Sequence, residues 1–186
     1  MKKLTTNEPL LVLDSTVGDF WAWAYSDILI NRNRGIFAEF IVAQVLNLTE
    51  QCRTEWDSYD LFYKNCRIEI KSSAYLQAWE QAKESKISFS IAPKKQFNNT
   101  SKTYSDAKQR NSDVYVFCIY TETVSKDVLK VLDMNNWNFY VVETSILNKK
   151  FGEQESIGIN PLQTVTTVCT IHELKSNIDV IVEKIR

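Results

Sequence analysis

The seven consecutive residues Val114 to Tyr120, "VYVFCIY", contain no polar side chain apart from two tyrosine hydroxyls and a thiol. The run is too short for a helix buried all round and is rich in β-branched and aromatic residues. It therefore predicts a central strand covered on both faces. Such a strand needs neighbours on each side and a layer above and below, which makes the chain an α/β sandwich around a mixed β-sheet flanked by helices.

The flanking elements follow from periodicity. Strands are expected at Asp60 to Tyr63, Arg67 to Ser72, Ile87 to Ala92 and Trp137 to Val142; in the third, Ile87, Phe89 and Ile91 alternate with polar residues, as in a half-exposed strand. Val17 to Leu48 reads as helical with a break near Asn31 to Gly35. In the half after that break Glu39 and Gln44 are the only strongly polar residues over three turns, so this helix is expected to be buried nearly all round. A glutamate there needs a partner. Leu174, Ile178, Ile181, Val182 and Ile185 recur at spacings of three and four and predict a closing amphipathic helix. Two stretches, residues 93–112 and 147–161, are loop-like in composition, and the first is expected to be a polar, partly helical insert. At 186 residues the chain is sized for a single domain, 1–186.

The 44% hydrophobic and 24% charged residues are those of an ordinary globular protein. The apolar stretch Leu10 to Leu13 is too short for a signal segment and no later one reaches membrane-span length, so a cytoplasmic protein is expected. Cys52, Cys66, Cys118 and Cys169 lack metal-ligand spacing and are read as reduced thiols. His172 is the sole histidine, which excludes chemistry that needs a histidine pair. The formal net charge is −1, but between Pro93 and Ser112 the residues Lys94, Lys95, Lys102, Lys108 and Arg110 stand against Asp106 alone. This is the one basic patch and the candidate surface for a polyanion, with Arg110 its most suggestive member because it precedes the central strand.

The charges in "DLFYKNCRIEIKSS", Asp60 to Ser73, pose the functional question. A hairpin turning at Lys64 and Asn65 sets Asp60 opposite Glu69, and alternation puts Asp60, Glu69 and Lys71 on one face with Leu61, Tyr63, Cys66, Ile68 and Ile70 on the other. Two carboxylates at ~5 Å between Cβ atoms repel unless one is protonated or a cation lies between them. A hard divalent ion such as Mg²⁺ resolves that conflict. Lys71 would then neutralise substrate charge, or orient or deprotonate a water. Asp57, three residues earlier, falls on the opposite face and is the weaker ligand candidate.

An Asp-x8-Glu-x-Lys pattern on a hairpin, following a helix that carries a glutamate, resembles the PD-(D/E)xK nuclease superfamily with its restriction-endonuclease-like fold. The segments "RGIFAEFIVAQVL", "WDSYDLF", "IEIKSSAYLQAW" and "RNSDVYVFCIY" are similar to a group of uncharacterised bacterial proteins of that fold. Tyr59 stands where the signature proline would be. The resemblance implies that Asp60, Glu69 and the carbonyl of Ile70 ligate Mg²⁺, with Mn²⁺ as a substitute, that Glu39 completes the metal site, and that Lys71 is the catalytic lysine, with Gln77 near the site. The implied activity is that of a Mg²⁺-dependent deoxyribonuclease, hydrolysing DNA by a metal-activated water, with a homodimer left open.

Blander readings compete. Asp60, Glu69 and Lys71 also fit a salt bridge on a solvated face, Glu39 fits a buried ion pair with Arg34 or another base, and Gln77 and Trp79 fit packing or capping roles, while Trp21, Trp23 and Trp137 fit core or helix-packing roles. At the level of function, the alternatives are a nucleic-acid-binding or assembly module that keeps the fold without turnover, and an unrelated α/β enzyme using paired carboxylates for acid/base chemistry.

Overall fold

The structure, a computed structural model, describes residues 2–54, 58–98 and 103–186. Two helices come first, α1 (Val17–Tyr25) and α2 (Asn31–Val45), followed by the hairpin β1 (Leu61–Tyr63) and β2 (Cys66–Ala74). Then come β3 (Ser88–Ser90), β4 (Lys94–Asn98), β5 (Thr103–Gln109), β6 (Val114–Tyr120) and β7 (Trp137–Glu143). The chain continues through α3 (Thr144–Phe151), β8 (Ser156–Gly158), α4 (Ile159–Gln163), β9 (Val168–Cys169) and α5 (Ile171–Ile185).

The main sheet has the order β1-β2-β6-β7-β9. Only β2 and β6 run parallel; the other pairs are antiparallel, so the sheet is mixed, as the sequence predicts. The central apolar run is β6, buried at every position. Val114, Val116, Cys118 and Tyr120 enter one core beneath α2 and α5, with Ile68, Ile70, Trp137, Leu174 and Ile178. Tyr115, Phe117 and Ile119 enter the other, with Phe89, Leu147, Ile157 and Leu162 from β3, α3, β8 and α4. Alternation along one strand thus divides the apolar content between two layers.

Local chemistry fixes the ends of the elements. Thr16 with Asp19 and Thr170 with Glu173 form reciprocal capping boxes that start α1 and α5. The β1–β2 turn has both central residues, Lys64 and Asn65, at positive φ (46° and 65°), the geometry whose twist matches a two-residue hairpin. Lys64 is not a residue that favours this region, and its ammonium is held 2.8 Å from Asp179 on α5. Tyr63 and Lys175 also donate to Asp179. The hairpin is therefore fastened to the C-terminal helix.

Several expectations need correction. The helical break falls at residues 26–30, and Asn31 to Gly35 form the first turn of α2. That helix is not buried all round, since Phe40 is 51% exposed and Gln44 is also exposed. The basic insert is not partly helical: β4 and β5 form a separate antiparallel ribbon. Lys94, Lys95 and all of β5 but Ser105 are exposed, which erases the alternation that marks a half-buried strand. Residues 147–161 are not a loop but contain the end of α3, β8 and the start of α4. Trp137 is a core residue whose indole donates to the Val131 carbonyl at 2.8 Å, whereas Trp23 is 85% exposed. Among the described residues no helix is long and apolar enough to cross a membrane.

Burial alone would favour the neutral form of Asp179, but hydrogen bonds from Lys175, Lys64 and Tyr63 outweigh it and hold the carboxyl at about 2. Because this lies below the ordinary value, its stabilisation is present in full above about pH 4 and is lost as pH falls toward 2. Asp179→Asn should cost about 1 kcal/mol at neutral pH and make no difference at the acid end, as read by urea unfolding across pH.

Candidate active site

The register of the hairpin places the charges. Leu61 pairs with Ile68, Phe62 with Arg67 and Tyr63 with Cys66, and Asp60 directly precedes the first of these pairs, at the end of the hairpin where β2 runs on through Glu69 and Ile70. The Asp60 amide donates to the Ile68 carbonyl at 3.0 Å, and beyond that point β2 outlasts its partner. The Ile70 amide then has no strand to pair with on this edge and donates to Asp60 Oδ2 at 2.6 Å. A strand residue directs its N–H and C=O to the same side, so the Ile70 carbonyl faces this edge too. Two carboxylates and a main-chain oxygen therefore lie where the shorter strand stops.

Glu69 is held from two directions. Lys71, two residues along on the same face, forms an ion pair with Oε1, and Ser112 Oγ donates to Oε2 at 3.3 Å. Both partners of the ion pair are partly buried. Tyr115 is the cross-strand neighbour of Glu69 on β6, on the same face. Burial, then the charge of Glu69, raises its phenol well above the ordinary value, so it remains a neutral hydroxyl. Asp60 is pushed up to about 7, first by burial and then by Glu69; the Ile70 amide and Lys71 act against this and Glu39 adds to it. The cluster is short of positive charge at Asp60.

Glu39 reaches this neighbourhood from α2 and is gripped at both oxygens by Arg53 Nε and Nη2. The requirement that it find a cation is met by Arg53 and not by Arg34. The Arg34 guanidinium instead donates to the Leu29 carbonyl, Asn31 and, at 3.4 Å, Gln77. Among the described residues no three His, Cys, Asp or Glu side chains form a closed metal cage. Gln77 is buried, and its side chain donates to the Ala74 carbonyl at 2.9 Å and accepts from Arg34. Asp57 lies outside the described residues.

The basic residues divide. Lys94, Lys95 and Lys108 are exposed on the β4–β5 ribbon, and Lys102 lies outside the described residues. Arg110 is the correction: it is buried, and its Nε, Nη1 and Nη2 donate to the Ile91 carbonyl (2.7 Å), Asn148 (2.8 Å) and the Gln154 carbonyl (3.1 Å). With its donors turned to the protein, it clamps the root of the ribbon and presents no charge to a ligand. His172 is exposed, and Cys52, Cys66, Cys118 and Cys169 are free thiols.

Three residues of the cluster were not foreseen: Ser112, Tyr115 and Arg53. The first two reach Glu69 only through the β2–β6 register, and Arg53 reaches Glu39 across 14 residues of chain. No short-range pattern marks either relation.

No curated protein matches the chain. The family model described as bacteriophage T4 endonuclease IV does, over residues 23–155. The match takes in Glu39, the hairpin with Asp60, Glu69 and Lys71, the ribbon, Ser112 and Tyr115. Covering more than two thirds of the sequence, it shows that the chain belongs to the bacteriophage T4 endonuclease IV family of nucleases.

Proposed function

We propose that this nuclease hydrolyses DNA phosphodiester bonds at the Asp60, Glu69 and Lys71 cluster in a Mg²⁺-dependent reaction, on a site of the PD-(D/E)xK type. The observation that carries the reading is the meeting of Asp60, Glu69 and the Ile70 edge with Lys71 on the same face. The donor set fits the ion: carboxylate and carbonyl oxygens are the hard ligands that Mg²⁺ and Mn²⁺ take. A carboxyl pushed up to about 7 by burial and a neighbouring carboxylate is one that a divalent cation would return to its ionised form.

Asp60, Glu69 and the Ile70 carbonyl would hold the ion, which would supply Lewis acidity at the phosphate and a more acidic water. The remaining work belongs to the side chains. The Ile70 amide fixes Asp60 Oδ2. Ser112 fixes Glu69 Oε2 in the same way. Lys71 rests on Glu69 and is free to transfer its ammonium to a non-bridging phosphate oxygen, where it offsets the charge that builds during attack. Glu39, released from Arg53, would add a carboxylate at the same edge.

Plasmid, linear and single-stranded DNA incubated with purified protein should be cut with Mg²⁺ or Mn²⁺ and spared with chelator. Glu69→Gln and Lys71→Met should each reduce cleavage by about 10²- to 10³-fold. Undiminished cutting by both variants would sink the site assignment, and inert wild type on every substrate would favour a binding module. Ser112→Ala removes one support of Glu69 and should cost about 10-fold in activity or metal affinity, with an unchanged melting curve. Isothermal titration with Mn²⁺ separates the two effects.

A further inference from the structure

The β4–β5 ribbon carries a cost that its own packing does not explain. Lys95 and Lys108 are directly opposite each other, and like charges so placed destabilise a strand pair. Both are exposed, and among the described residues neither forms an ion pair with a carboxylate. Lys94, also exposed, projects from the other face. Asp106 is the carboxylate on this ribbon, and it too is exposed.

The position of the ribbon is as informative as its charge. Arg110 ties its root to three points on the body. Lys108 is four residues from Ser112, whose hydroxyl touches Glu69. At no more than ~3.6 Å per residue, the two Cα atoms lie within about 14 Å. Each strand of a duplex carries one charge per about 3.4 Å of axis, so a strand running from Ser112 toward the ribbon would come level with Lys108 within about four nucleotides.

We propose that the ribbon is a backbone grip: Lys95 and Lys108 bind phosphates of the polynucleotide flanking the bond cut at Asp60 and Glu69, an assignment that rests on the nuclease reading above. Arg110 is a positioning residue that fixes where the grip stands. Single strands and duplexes offer the same phosphate chemistry, and the experiment distinguishes them. Binding of a labelled single strand and of the matching duplex is followed by fluorescence anisotropy in chelator, so that nothing is cut, over a series of KCl concentrations. Lys95→Ala with Lys108→Ala should reduce the slope of log affinity against log salt by about 1.4 on single strands or about 1.8 on duplex. The Lys95→Arg with Lys108→Arg variant should keep the wild-type slope. Hydrolysis of bis(p-nitrophenyl) phosphate, too small to reach the ribbon, should be unchanged with Mn²⁺. An unchanged salt slope in the alanine variant, with wild type binding normally, overturns the grip and leaves the nuclease reading intact. Wild type that binds neither oligonucleotide overturns the grip, and the nuclease reading falls with it only if Mg²⁺ and Mn²⁺ also support no cleavage.

Discussion

The parallel pairing of Cys66–Ala74 with Val114–Tyr120 is the contact on which the other arrangements depend. It aligns Ile68 with Val114 through Ala74 with Tyr120, sets Tyr115 beside Glu69, and brings Ser112 to the other oxygen of that carboxylate. Parallel strands need a long connection, most often a helix. Here the chain between Ala74 and Val114 makes the crossing, and among its described residues β3 and the β4–β5 ribbon stand in place of a helix. The connection must return to the sheet at the N-terminal end of β6, which is where Glu69 lies. The ribbon's proximity to the carboxylates is thus a product of topology.

What could be read from the sequence was what short-range periodicity encodes. The hairpin parity, the turn at Lys64 and Asn65, the doubly buried β6 and the apolar stripe of α5 each arise within a dozen or so residues, and each is found in the structure. The polar ribbon was hidden because neither Lys94–Asn98 nor Thr103–Gln109 shows an apolar face. The partner of Glu39 was hidden for a different reason. A buried carboxylate requires a cation, but the sequence offers Arg34 and Arg53 equally, and only the fold decides that Arg34 turns to Leu29, Asn31 and Gln77. Arg110 shows the converse: charge and location suggested a ligand contact, and burial assigned it to the scaffold.

The electrostatic pattern at the site is uneven in an informative way. Glu39 has Arg53 and Glu69 has Lys71, so two of the three carboxylates are matched by internal cations. Asp60 has a main-chain amide and is the one whose ionisation the fold penalises. A core selected only for stability would replace such a group or give it a base. The carboxylate without an internal cation therefore stands at the free edge of β2, and it is on this imbalance that the proposed Mg²⁺ site rests.

The short segment from Arg110 to Asp113 is pinned at both ends. Arg110 is locked to Ile91, Asn148 and Gln154, and Asp113 is locked by the backbone amide and guanidinium of Arg67 and by its own carbonyl to Thr144. Ser112 sits between these anchors with its hydroxyl on Glu69. In mechanical terms the segment is a stiff strut with little slack. The root of the ribbon and the hydroxyl that touches Glu69 therefore stand at a set distance from each other, fixed by the body of the protein at both ends.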